Sequence, residues 1–328
     1  MKKTLIYTAA VLLASAVTAQ AADTPAVSEE AAYLKIPTSA RALAMGSAYT
    51  AVADDLGSIG VNPGGIGLIH GGELMATYSK FLPGTGYGHV SAAHFSDKSG
   101  GTSAVSMRAF SASGIERTDA SGASLGSFSG SGLALEATHA RMLSGSVAAG
   151  VTARAVRDEI AGDSVWGVAA DAGATMPEVV AGRDVRLGVA MRNIGPSLFR
   201  KSAAGADTGD ASLPATLAVG VAGGFESGIV QLVGDLDFGY AFVTSRAKIG
   251  LGVEAVLKKM LAIRVGLRAG SGGYSDSFTS GGVTAGFGVM MQGFRLDYAF
   301  APMAMGTTHF VTLAAGFGLP KQEVRERK

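Results

Sequence analysis

The sequence has no cysteine, few aromatic residues and little charge. Without cysteine an exported chain has no disulfide framework, so its fold depends on hydrogen bonding and burial. Charged residues make up 16% of the 328 residues, against about 25% in an average soluble domain. Hydrophobic residues make up 48%, and there are 48 glycines, about twice the usual share. The balance is too apolar for an ordinary soluble protein, and the formal net charge of +1 does not indicate a nucleic-acid partner.

Long hydrophobic runs are also missing after the N-terminus. Two lysines precede an apolar run from Leu5 to Val17, which ends in the small-x-small pattern Ala19-Gln20-Ala21. We predict a signal peptide over residues 1–21. A membrane anchor is the alternative, but the run is shorter than the roughly 20 residues that a spanning helix needs. No later segment has ~18 consecutive apolar residues, so a chain that crosses a membrane must do so as a closed β-barrel.

Most of the remaining chain alternates between apolar and polar residues. From about Gly72 to Gly318, segments of about ten residues are separated by clusters of Gly, Ser, Asp or Pro, as in membrane strands. In residues 293–301, one face carries Phe294, Leu296, Tyr298 and Phe300, and the other carries Arg295 and Asp297. The segments 183–193 and 248–257 divide in the same way.

Counting these segments predicts an all-β fold, a transmembrane antiparallel β-barrel of about 14 strands over residues 72–318. A soluble β-sandwich is the alternative, but its strands average about 5–6 residues, too few to cross a membrane at a tilt. We read residues 119–130, 195–212 and 270–280 as loops and residues 319–328 as a polar tail. The predicted strands start near Gly72, Gly86, Gly101, Ser131, Gly145, Asp163, Asp184, Leu213, Gly228, Ser245, Met260, Ser280, Gly293 and Thr307.

The charged residues of these strands are of mixed sign and are predicted to face the lumen. Mixed signs favour pairing with one another and with a plug over an ion-selective pore. The residues are Arg108, Glu136, Arg154, Asp171, Arg186, Arg192, Asp235, Asp237, Lys248, Glu254, Arg264, Arg268, Arg295 and Asp297.

The segment before the first strand, within residues 22–71, does not alternate. Pro37 is expected to end an extended lead-in, small residues surround Gly46, Asp54-Asp55 can cap a helical turn, and residues 62–65 (Asn-Pro-Gly-Gly) predict a tight turn. Small residues allow close backbone contacts, which suits a segment inside the barrel. Composition alone leaves a periplasmic arm as an equal alternative.

This segment contains an ordered series of short motifs: Pro37, Ala40-Arg41-Ala42, Met45-Gly46, Ala48-Tyr49-Thr50-Ala51, Ala53-Asp54-Asp55 and Asn62-Pro63. A second set of motif residues lies at the end of the chain, in residues 296–302 and 306–309. In their order and spacing these residues resemble an outer-membrane family that includes the PorV and PorQ proteins of type IX secretion, within the FadL-like barrel superfamily.

The resemblance implies a FadL-like barrel whose N-terminal segment is a plug in the lumen. The sequence departs from the family at Ser39 and Ser47, where glycine is usual, at Gly64, where alanine is usual, and at Val61, where an aromatic residue is common. Carried over to this chain, the structural residues of the plug motif are Arg41, Met45, Gly46, Asp54, Asp55, Asn62, Pro63 and Gly64.

We find no constellation typical of an enzyme, a cofactor site or a metal site. His89 and His94 are five residues apart on one strand and therefore face opposite sides. The pair Asp54-Asp55 is explained by capping. Residues 64–67 are rich in glycine but lack the strand, helix and lysine of a phosphate loop. The sequence thus predicts no catalytic, cofactor-binding or metal-binding residues.

Besides a purely structural barrel, two functions remain for an exported barrel in the outer-membrane lipid. As the PorV resemblance implies, the protein would bind exported proteins or secretion-system components in protein secretion or surface attachment. The alternative is a FadL-like channel for hydrophobic small molecules such as fatty acids. A channel of that kind needs an apolar pocket. Because the predicted inward faces are charged or small, the sequence favours the first function.

Overall fold

The computed structural model describes residues 30–81, 84–180, 182–196, 198–201, 212–270, 275–276, 279–303 and 306–317. The predicted signal peptide, residues 1–21, and the polar tail, residues 319–328, lie outside the described residues. Within the described ranges, no helix is long and apolar enough to cross a membrane.

The chain forms a closed antiparallel β-barrel. The main sheet has 15 strands, of which the short β8 is an addition, and the other fourteen close through pairing of β1 with β17 and of β5 with β6. The strands are β1 Gly72–Lys80, β2 Thr85–Ser96, β3 Gly101–Thr118, β4 Ser124–Ser144, β5 Val147–Ile160, β6 Asp163–Met176, β7 Asp184–Ile194, β8 Phe199–Lys201, β9 Thr216–Ser227, β10 Val230–Ala241, β11 Arg246–Leu257, β12 Leu261–Gly270, β13 Ser275–Asp276, β14 Thr279–Ser280, β15 Gly282–Met291, β16 Phe294–Met303 and β17 Gly306–Phe317.

The predicted barrel is confirmed, and thirteen of the fourteen barrel strands begin within three residues of their predicted starts. The exception is β4, which begins at Ser124 within the predicted loop 119–130. That loop prediction was wrong because β3 and β4 continue to pair with each other past the ends of the neighbouring strands β2 and β5, with Ile115 opposite Phe128. Two other predicted loops also contain strands, since β8 pairs with β6 and β13 pairs with β14.

The two ends of the barrel differ in their connections. At one end, called the short-turn end, the strands are joined by residues 97–100, 145–146, 177–183, 228–229, 258–260 and 292–293. At the other, called the long-loop end, the connections include the longer segments 195–215 and 271–281. In bacterial outer-membrane barrels short turns face the periplasm and longer loops face outside.

The outer face of the barrel is apolar. On β11 and β12, for example, Leu251, Val253, Ile263 and Val265 are each close to half exposed, although they are aliphatic. Near the long-loop end the ring of Trp166 is exposed, and the guanidinium carbon of Arg157 lies 5.2 Å from its centroid. Such a surface fits lipid rather than water, with an aromatic residue and a charge at its edge.

Residues 30–71 lie inside the barrel as a plug. Its helical elements are a 3₁₀ turn at Ala32–Lys35, the short helix α1 at Ala40–Ala44, and 3₁₀ turns at Leu56–Gly60 and Pro63–Leu68. The lead-in before Pro37 is thus not extended as predicted. Ala31 adopts a left-handed conformation that starts the first turn, and Asp158 on the wall accepts a hydrogen bond from its backbone N–H at 2.9 Å.

Candidate functional site: the plugged lumen

The plug makes a circuit of the inner wall between the two ends of the barrel. It starts at the long-loop end, where Ala31 contacts Asp158, and continues to β17, where Ala40 N donates to Thr312 Oγ1 at 2.8 Å. It then contacts β15, where Gly46 N donates to Thr284 Oγ1 at 3.0 Å. After following β12, β10 and β6, it reaches β1 at the short-turn end.

Gly46 lies directly against the backbone of the wall. Its φ of +67° is a left-handed conformation that favours glycine, and a Cβ at this position would lie 2.7 Å from Leu251 O. The wall has glycine at the facing positions: a Cβ on Gly266 would lie 2.0 Å from Gly46 N, and one on Gly252 would lie 2.5 Å from Met45 O. Gly46 and the buried Met45 therefore fit only against a wall without side chains.

Arg41 is the centre of a charged network near the short-turn end. It pairs with both carboxylate oxygens of Glu254 on β11, at 2.9 and 2.8 Å. Its Nη1 atom also donates to Asp54 at 2.6 Å, to Asp55 at 3.0 Å and to the hydroxyl of Tyr49 at 2.8 Å. One guanidinium thus binds three plug side chains and a carboxylate of the wall.

Asp55 has a second cation and a capping role. Arg295 Nη2 on β16 lies 2.8 Å from Asp55 Oδ2, and Asp55 Oδ1 accepts a hydrogen bond from Gly57 N at 2.8 Å. The predicted cap at this position is therefore present. Burial alone would raise the pKa of Asp55, but the guanidinium groups of Arg295 and Arg41 outweigh burial and hold this pKa well below its usual range.

Two wall carboxylates on β10 hold the plug backbone. Asp237 Oδ2 accepts hydrogen bonds from Tyr49 N and Thr50 N, both at 2.9 Å, and from Thr50 Oγ1 at 2.6 Å. Asp235 Oδ2 accepts one from Val52 N at 3.3 Å. These bonds satisfy backbone donors that the irregular plug could not pair within itself.

A second row of ion pairs lies on the inner wall along β3 to β6. Arg154 lies between Glu136 and Asp171, with contacts of 2.6 and 2.7 Å, and Arg108 contacts Glu136 at 2.9 Å. Arg108 also donates to the plug at Leu34 O, at 3.2 Å. The predicted pairing of inward charges with one another and with the plug is therefore observed on these strands.

The turn at residues 62–65, called here the Asn62 turn, contacts the wall at β5 and β6. Asn62 Oδ1 accepts from Gly64 N at 3.1 Å, and Asn62 Nδ2 donates to Thr50 O at 2.8 Å and Ala174 O at 3.0 Å. A Cβ on Gly64 would lie 2.9 Å from Ala174 Cα. Glycine at this position therefore matches a close approach to the wall. Pro63 follows Asn62 as the first residue of a 3₁₀ turn.

The eight residues of the predicted plug motif are thus all placed between plug and wall, but they do not form one site. Arg41, Asp54 and Asp55 meet near the short-turn end. Met45 and Gly46 contact β11 and β12, whereas the Asn62 turn contacts β5 and β6. The arrangement can hold a segment in place.

Below the plug a cavity of about 760 Å³ opens at the short-turn end. Its inner wall carries the Arg41 network, and its outer part is bordered by Val233, Val256 and Met290. Both acidic and basic side chains line it, so it is a mixed-charge vestibule rather than an apolar pocket.

At the long-loop end the plug packs against apolar side chains of the wall, a feature that the sequence did not predict. Tyr33, Leu34 and Ile36 of the plug are buried against a cluster of wall side chains that here is called the apolar compartment. The ring of Phe310 lies 6.1 Å from that of Tyr87 and 6.0 Å from that of Phe81, which lies 6.4 Å from Phe110. The remaining large members of the compartment are Val156, Val165, Leu198 and Leu213.

The description of the inward faces as charged or small is therefore wrong for the long-loop end. Tyr87 is two residues from the buried His89, and Phe110 is two residues from Arg108, so both share inward faces with polar residues. The inward faces change from polar to aromatic along the strands. His94, as predicted, points to the other side of β2 from His89 and is exposed.

No protein-family model and no curated protein sequence matches the chain. Among solved structures, it is similar to the toluene transporter TbuX of Ralstonia pickettii, with a TM-score of 0.56 and 13% identity over 85% of this chain and 98% of that one. It is similar to the CymD monoaromatic hydrocarbon channel, with a TM-score of 0.55 and 12% identity over 86% and 97%.

A FadL homologue of Pseudomonas aeruginosa gives a TM-score of 0.52 and 12% identity over 89% of this chain and 98% of that one. At these identities the comparisons establish the fold alone. The fold is a closed 14-stranded antiparallel barrel of the FadL-like kind, with a plugged lumen.

Proposed function

We propose that the protein is an outer-membrane channel for hydrophobic small molecules, with its short-turn end in the periplasm. The observation that carries the proposal is the apolar compartment at the long-loop end, where aromatic rings of the wall belong to the same buried cluster as Leu34 and Ile36 of the plug. Pockets for hydrophobic ligands are lined by such side chains. A ligand from outside would replace contacts that these plug residues now make.

The comparisons support this proposal over a role in secretion. The similar barrels are described as a toluene transporter, a monoaromatic hydrocarbon channel and a FadL homologue. The apolar outer face supports placement in the outer membrane. Export by a signal peptide over residues 1–21, a plug over residues 22–71 and a barrel over residues 72–318 complete the proposed organisation.

Uptake of labelled toluene and labelled oleate tests the proposal. Cells that lack their own channels of this kind, and that express this chain, should accumulate at least one of the two faster than cells with an empty vector. Leu34→Asn places an amide in the apolar compartment at nearly constant volume and should slow that uptake several-fold. Leu143→Asn, on the exposed outer face near the short-turn end, is the matched control and should not.

The result that would overturn the proposal is uptake equal to the empty vector for both compounds, with barrel assembly verified by heat-modifiable migration in a gel. Uptake that is unaffected by Leu34→Asn would leave transport standing but remove the apolar compartment from its route.

A second candidate is the PorV-like role, in which the barrel binds exported proteins. Besides the motif resemblance, it has one feature in its favour, the hairpin of residues 114–128. Among the described residues, β3 and β4 pair there with each other and not with β2 or β5, and Leu125 is 60% exposed. A photo-crosslinking residue at Leu125 should then capture an exported protein in living cells, and the same residue at Lys98 in a short turn should not. Absence of any crosslink from position 125 would count against this role.

A further inference from the structure

A groove of about 480 Å³ lies on the outer face of the barrel, near the short-turn end. Residues of β5 and β6 form its floor, and residues of β4 and β7 form its two borders. It is separate from the vestibule and from the apolar compartment, which are both inside the barrel. The outward-facing residues of the floor are Ala149, Val151, Ala172 and Ala174.

The groove results from the way in which strand pairing places short side chains next to one another. Ala149 of β5 is opposite Ala174 of β6, and Val151 is opposite Ala172. The neighbouring strands carry longer side chains at the same level, and Met191 of β7, for example, is opposite Ala172. A band of short side chains between longer ones leaves a depression in the surface of the barrel.

The band of short side chains continues towards the middle of the strands. The next outward-facing pair is Ala153 of β5 opposite Ala170 of β6, and both residues are exposed. In a membrane, close packing rather than transfer from water favours one apolar contact over another. A depression that runs along the strands gives an extended acyl chain more packing contacts than a flat face does.

Arg141 gives the groove a cationic border. It faces outwards on β4 and is exposed, three residues before the strand ends. Its guanidinium has no hydrogen-bond or ion-pair partner in the part of the chain that the structure describes. Across the sheet its neighbours at this level are Gly101 on one side and Ala149 followed by Ala174 on the other. None of these neighbours is a carboxylate, so the cation is available to an anion from outside the protein.

His139 lies beside Arg141 on the same outward face of β4 and supplies a second polar group to the border. Its Nδ1 atom lies 3.0 Å from Ser103 Oγ on β3. When Ser103 donates to Nδ1, the neutral ring carries its proton on Nε2 and can donate it to a ligand. A guanidinium and an imidazole N–H next to each other match the oxygens of a phosphate, which arginine binds through two parallel hydrogen bonds.

We propose that this groove binds one anionic phospholipid of the leaflet that faces the periplasm. Its phosphate contacts Arg141 and His139, and one acyl chain lies along the alanines of β5 and β6. Cations at the border of the apolar surface attract anionic head groups. The proposal rests on the membrane placement proposed above and does not depend on transport.

The charge at the border favours a lipid over a second copy of the chain. Two copies that pack on this groove around a twofold axis present the same patch to each other. Their two Arg141 side chains would then approach each other, and like charges oppose such a contact. A phospholipid brings the opposite charge and an apolar chain together.

Native mass spectrometry of the detergent-solubilised protein, titrated with phosphatidylglycerol, tests the proposal. We expect the wild type to retain one lipid. Arg141→Gln should weaken its binding about tenfold, since a hydrogen-bonded charge is lost. Lys258→Gln, which removes an exposed cation from the turn between β11 and β12, is the matched control and should bind like the wild type.

A second pair of variants tests the groove itself. Ala172→Leu fills the groove with a side chain that suits a lipid-facing surface, so the barrel should assemble while lipid binding weakens. Ala285→Leu makes the same change on the outer face of β15 and should have no effect on binding.

Three results would overturn the proposal. The first is a wild type that retains no phosphatidylglycerol, or that retains it no better than Arg141→Gln. The second is glycerol 3-phosphate bound as tightly as the lipid, which would make Arg141 a site for free anions. The third is a dimer that Ala172→Leu dissociates, which would assign the groove to a second copy of the chain.

Discussion

Arg41 of the plug and Glu254 of β11 form a pair with two parallel hydrogen bonds, from Arg41 Nε to Glu254 Oε2 at 2.9 Å and from Arg41 Nη2 to Glu254 Oε1 at 2.8 Å. Glu254 Oε2 also accepts from Arg264 Nε at 2.5 Å. The carboxylate therefore neutralises one cation of the plug and one of the wall. Bidentate pairs of this kind are the strongest ionic contacts that side chains make.

Loss of Glu254 should destabilise the plugged barrel. Glu254→Gln leaves Arg41 and Arg264 without a shared counter-charge, and breaking a buried pair costs about 3–5 kcal/mol. Denaturant unfolding in detergent measures the effect. The double variant with Arg41→Gln should lose less than the sum of the two single variants, and additive losses would mean that the pair does not act as a unit.

A single methyl group at Gly266 should displace the plug. In Gly266→Ala the new Cβ would lie 2.0 Å from Gly46 N, closer than atoms can approach, so Gly46 must leave the wall. We expect faster cleavage of the plug by an added protease and an unfolding midpoint lower by several degrees. Gly88→Ala is the control, since no atom lies within 4 Å of a Cβ there. Equal protection of both variants would contradict the close contact.

Asp55 should make the stability depend on pH in the acid range. Its pKa in the folded state is depressed, so its contribution is complete above the ordinary carboxyl pKa of about 3.9 and is lost as the pH falls below that value. Wild type should therefore exceed Asp55→Asn in unfolding midpoint at pH 7, and the gap should narrow below about pH 4. A constant gap from pH 7 to pH 3 would refute this account.

A charged side chain on the apolar outer face should cost more folding free energy the deeper it lies in the hydrocarbon of the membrane. Leu251→Arg places a guanidinium on the middle of the outer face and should cost about 2–4 kcal/mol of folding into lipid vesicles. Leu143→Arg lies near the short-turn end, next to the exposed Arg141, and should cost about 0–1 kcal/mol. Equal costs at the two positions would mean that Leu251 does not face the hydrocarbon.

Strand positions and charge orientation could be predicted from the sequence because both follow the two-residue period of a strand. Arg295 and Asp297 face the lumen and Leu296 faces outwards, as their alternation indicates. The hairpin beyond Ala112 could not be predicted in this way. Its residues are mostly exposed on both faces, so its sequence does not alternate between apolar and polar residues. Its serines and glycines are therefore typical of a loop.

The apolar compartment was missed for a different reason. The alternation of a strand identifies which residues face inwards but not how the inward face changes with depth, and Phe310 and Thr312 share the inner face of β17 at different depths. The two-residue spacing of Tyr87 from His89 does indicate that an aromatic residue shares the inward face of β2. The positions of the wall glycines were not predictable, because the plug residues that meet them are far away in sequence and come together only in the closed barrel.

The contact between Gly46 and the wall glycines also has an evolutionary consequence. Gly252 and Gly266 have no room for a side chain while Met45 and Gly46 are in place, so selection on the wall and on the plug acts on one shared surface. Among relatives of this chain, glycine at these wall positions should be inherited together with the plug motif. Lineages that have lost the motif should be the ones in which larger residues appear there.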